Sequence, residues 1–121
     1  MKLLEGIRVV VLADHLADFG GSMFARLGAE VVLADAAPLT EPREKAWHKG
    51  MTRSDAPLET LLAGADILID DRRTDPREGV DDLAAQHEKL VHVVVTGFPN
   101  EMRSVTDLTL MAQSGLMHVT G

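Results

Sequence analysis

The sequence predicts an α/β domain of three layers, with helices on both faces of a mainly parallel sheet. Short β-branched apolar runs alternate with helical stretches, the pattern of strands covered on both faces. The first strand-helix-strand unit spans residues 6 to 35, about the usual size of a right-handed parallel crossover. With 121 residues and 45% apolar content, the chain suffices for one core and is too short for two, so residues 1–121 are expected to form a single Rossmann-like domain.

The first strand is Ile7-Arg-Val-Val-Val-Leu-Ala13, a run dense in branched side chains. After Asp14-His15, Asp18 can cap a helix whose apolar positions Phe19, Met23, Phe24 and Leu27 recur at helical spacing, with Gly28 free to take positive φ at its end. Glu30 to Asp35 is the second strand. Ala36 to Asp55 holds Pro38, Pro42 and mixed charges without either period, and reads as an irregular surface loop. Pro57 at a first helical position opens a helix from Leu58 to Ala63, Gly64 ends it, and Asp66 to Asp70 is the third strand. A charged turn, Asp71 to Pro76, leads to a helix from about Gly79 to Lys89 with Val80, Leu83 and Ala84 inward. Leu90 to Thr96 is the most strongly apolar strand. A helix opened by Asp107, with Leu110, Met111, Leu116 and Met117 read as core positions, closes the chain.

Composition excludes several functions. A net charge of -7 leaves no basic stripe for phosphate backbones, and three Phe with one Trp offer few stacking platforms. No run approaches the roughly 20 apolar residues of a membrane span, and cysteine is absent. The expected setting is the cytoplasm, without a membrane or nucleic-acid partner.

In open parallel sheets ligands bind beyond the carboxyl ends of the strands. Those ends carry Asp14, His15, Asp35, Asp70 to Arg73 and Thr96-Gly97-Phe98. There is no G-x-G-x-x-G after the first strand and no G-x-x-x-x-G-K-[ST], which disfavours a nicotinamide or P-loop site. The five histidines show no H-E-x-x-H spacing, and His92 is expected to pack in or beside a strand. Gln113-Ser114-Gly115 lies late in a helix and is not the nucleophile elbow of a serine hydrolase.

Five blocks in order carry a resemblance: Gly6-Ile-Arg-Val-Val; Ala25-Arg-Leu-Gly-Ala-Glu-Val-Val; Ala65-Asp-Ile-Leu-Ile-Asp; Asp82-Leu with Leu90-Val-His-Val-Val-Val-Thr-Gly-Phe; and Asp107-Leu with Ala112-Gln-Ser-Gly-Leu-Met-His-Val-Thr-Gly. Together they resemble the N-terminal region of the family III CoA-transferases, the formyl-CoA and carnitine-CoA transferase group that includes α-methylacyl-CoA racemase. The resemblance implies an aspartate nucleophile, matched by Asp107, that attacks an acyl-CoA thioester to give an aspartyl anhydride and then an enzyme thioester. Thr106 stands where the racemase branch has a catalytic histidine, which favours transferase. Read from pattern alone, Asp107 is an N-cap rather than a nucleophile, though one residue can serve both roles.

The resemblance also implies CoA contacts at His15 and at Asp71-Arg72, and the guanidinium forks of Arg72 and Arg73 suit CoA phosphates, with a solvated turn paired to Asp70, Asp71 and Asp75 as the alternative. Coenzyme A or acyl-CoA enters as substrate, with no permanently bound cofactor and no metal, and a small carboxylic acid is the acceptor. The family's chains are longer and interlock as dimers, so activity is expected only with further polypeptide, in a homodimer or with a second family chain. Against the family pattern, Ala17-Asp18 stands in place of Gly-Pro, and Asp71-Arg72 in place of the Asn-Phe pair that contacts CoA. The strand that normally follows a segment like His48-Lys-Gly-Met-Thr-Arg53 is expected to be missing. A shortened relative that binds an acyl-CoA or a protein without turnover is the alternative. A segment of an interlocked dimer should expose a large apolar patch.

Overall fold

A computed structural model describes residues 2–12, 17–34, 42–71, 80–96 and 106–120. In chain order the elements are β1 (Arg8–Leu12), α1 (Ala17–Arg26), β2 (Glu30–Ala34), α2 (Pro42–Trp47), β3 (Thr52–Ser54), α3 (Leu58–Leu62), β4 (Ile67–Asp70), α4 (Val80–Gln86), β5 (Val91–Val94), α5 (Asp107–Gln113) and α6 (Leu116–Thr120). The strands form one sheet in the order β3-β2-β1-β4-β5, and every pairing is parallel.

β1 lies at the centre, with Val9, Val10 and Val11 at 0% exposure. Alternate residues supply two cores, one on each face. Val9, Val11, Val31, Leu33 and Ile69 meet Ala17, Phe24 and Ala25 of α1. Val10, Val32, Ala34 and Leu68 meet Leu61 and Leu62 of α3 and Leu83 of α4. Three layers follow directly, because a parallel strand with both faces apolar must be covered twice. Gly28 ends α1 at φ +98°, a left-handed conformation, and an added Cβ would meet Lys2 Cβ at 2.6 Å. Gly21 lets α1 approach the sheet: a Cβ there would stand 2.9 Å from Val11 Cγ2.

Several expectations are corrected. The stretch from Ala36 to Asp55 is not an irregular loop throughout, since it contains α2 and β3. Pro42 is the first residue of α2, where its missing N–H costs nothing. β3 pairs with β2 through Val32, Leu33 and Ala34, so a short strand begins within the His48–Arg53 segment and ends at Ser54. It escapes sequence reading because it is three polar residues at a sheet edge, two of them exposed. Pro57 is the N-cap of α3 and not its first helical residue. The expected last helix is two helices, broken at Gly115 with φ +77°. Of its expected core positions, Leu110 and Met111 are only half-buried, while Leu116 and Met117 are exposed.

β5 forms within the run read as a strand. That run is strongly apolar, yet Val91 and Val93 are 57% and 42% exposed, because among the described residues β5 is at the sheet edge and α1 packs on β1, β2 and β4. Through their pairing with Ile67 and Ile69 these valines lie on the α1 face.

Leu68 is fully buried at the middle of β4. Leu68→Ala is expected to lower stability by about 2–5 kcal/mol through lost transfer energy and a residual cavity. Val93→Ala is expected to change it by less than about 1 kcal/mol. Urea denaturation followed by circular dichroism separates the two.

Candidate functional site

Strand order reverses between β1 and β4, and in open parallel sheets the crevice at such a reversal is where ligands sit. Asp71 occupies this crevice immediately after β4. Its backbone N–H donates to Leu12 O at 3.1 Å, which ties it to the end of β1. Its carboxylate Oδ2 accepts from Ala17 N at 2.7 Å. Ala17 opens α1, so one of the helix's otherwise unpaired N–H groups is met by a carboxylate from 54 residues away. The expected cap, Asp18, is inside the first turn instead.

Asp18 has another partner. His48, just beyond α2, places Nε2 2.8 Å from Asp18 Oδ2, and both side chains are almost enclosed. A carboxylate accepts only, so His48 carries a proton on Nε2. Beside the pair, Phe19 and Trp47 meet edge to face with centroids 6.2 Å apart, a favoured aromatic geometry. The two contacts fasten α2 to α1.

A second buried pair lies on the opposite face. Asp70, 3% exposed at the end of β4, has Oδ2 3.4 Å from Nε2 of His92 on β5. His92 thus packs within a strand as expected. Among the described residues, Nδ1 of both His48 and His92 is buried with no hydrogen-bond partner.

Asp107 is the first residue of α5, and its side chain lies outside the described residues. The N-cap is Thr106, not Asp107. Thr106 has extended backbone at φ -120° and ψ 160°, and its side chain accepts from Thr109 N at 3.2 Å. Thr106 N donates in return to Thr109 Oγ1 at 2.9 Å, completing a capping box. Threonine replaces the usual Glu or Gln at the third helical position, which is why the box was not evident in the sequence.

Of the other expected CoA contacts, His15, Arg72 and Arg73 lie outside the described residues. Only Asp71 of that set can be placed, and its carboxylate is engaged within the chain. An open hollow lined by Leu62, Ala65, Ala85, His87 and Leu90 sits at the amino ends of β4 and β5, the opposite end from the crevice. Among the described residues no group of three or more His, Asp or Glu side chains could hold a metal. No described helix is long and apolar enough to cross a membrane.

Asp18→Ala and His48→Phe are each expected to destabilise the protein by about 1–3 kcal/mol, since each removes the partner of a nearly enclosed polar group. The double variant should show a coupling of about 0.5–3 kcal/mol. Additive urea-denaturation energies would show that the pair contributes nothing of its own.

The fold is similar to that in the crystal structure of the orthorhombic form of Rv3272 from M. tuberculosis, with a TM-score of 0.73 and 23% identity over 96% of this chain. The likeness is one of fold, and the chain spans 39% of the length of that protein. No family model and no curated protein matches the sequence.

Proposed function

We propose that the chain is a segment of an acyl-CoA:carboxylate CoA-transferase in which Asp107 is the nucleophile and further polypeptide completes the site. The observation that carries this reading is the capping of α5 by Thr106. The cap was the structural role that would otherwise account for an aspartate at this position, and Thr106 fills it. The sequence blocks that resemble the transferases fall in order on β1, the α1–β2 junction, β4, β5 and α5–α6. Exposed Phe19, Met23, Leu27, Val91, Val93, Leu108, Leu116 and Val119 are consistent with a segment that buries more surface in a larger assembly.

The chemistry conserves charge without a proton donor. The Asp107 carboxylate attacks the thioester carbonyl, the C–S bond breaks, and CoA thiolate leaves a mixed anhydride. The thiolate then attacks the aspartyl carbonyl, releasing the donor acid as its carboxylate and forming an aspartyl-CoA thioester. The acceptor carboxylate attacks that thioester to give a second anhydride and free thiolate. The thiolate then attacks the acceptor's carbonyl, yielding the new acyl-CoA and restoring Asp107. A carboxylate is a weak nucleophile, and holding it against the activated carbon supplies the advantage.

A specific observation favours the second reading, a shortened relative that keeps the fold and binds an acyl-CoA or a protein without turnover. Asp71, at the position of an expected CoA contact, is engaged by Ala17.

The test uses the polypeptide as its reading frame encodes it, incubated with an acyl-CoA, an acceptor acid and hydroxylamine. Trapped hydroxamate is expected, reduced on the order of 10³-fold or more by Asp107→Ala, the scale of losing a covalent nucleophile. Hydroxamate formation that ignores Asp107, or none at all, rejects the transferase reading. Retained acyl-CoA binding in equilibrium dialysis would then support the binding module.

A further inference from the structure

We draw no further inference here: the strongest candidate, the apolar α1-side face of β5 with Val91 and Val93 exposed, carries nothing because nothing in the structure shows what covers it.

Discussion

The enclosure of the three central valines of β1 is the constraint on which the rest of the structure depends. The strand pairs with β2 on one side and β4 on the other, and Val9, Val10 and Val11 are wholly withdrawn from water. A strand so placed has no free edge and no free face, so its backbone groups must be met by neighbouring strands and its side chains by helices on both sides. Burying each valine stabilises the fold by roughly 1.5–3 kcal/mol. At the carboxyl end of β1, Asp71 joins Leu12 to the start of α1.

Polar groups near this core are used economically. Asp18 with His48 and Asp70 with His92 are carboxylate–imidazole pairs on opposite faces of the sheet, each largely enclosed. In each the carboxylate engages Nε2 and, among the described residues, the far ring nitrogen is left without a partner. An unpaired buried nitrogen is costly. The first pair also has a mechanical role, because with the Phe19–Trp47 contact it holds a six-residue helix that could not persist alone.

The central layers were legible in the sequence and the edges were not. Strands β1, β2 and β4 are Val, Ile and Leu runs whose burial on both faces suppresses alternation, so the apolar run is itself the signal. β3 carries no such signal, since Thr52-Arg53-Ser54 is polar, meets the sheet along one edge and exposes Thr52 and Arg53. α2 is too short for a period to emerge. At the site, Asp71 was singled out by its place after a strand, but its partner could not be read. Contacts across 54 residues, like the 30 between Asp18 and His48, are set by strand order, which local pattern does not encode. Asp107 was legible as the start of a helix, while the reciprocal bonds of Thr106 and Thr109 depend on backbone angles beyond the reach of residue type.

The two rims of the sheet are chemically unlike. The β3 rim is polar and charged. The β5 rim carries two exposed valines on its α1 face, and among the described residues its outer backbone edge has no strand beside it. A strand added at β5 would meet apolar side chains, and one added at β3 would meet exposed Thr52 and Arg53. Any assembly formed along the β5 rim would make the unfolding midpoint a function of protein concentration, so stability values are to be compared at matched dilution.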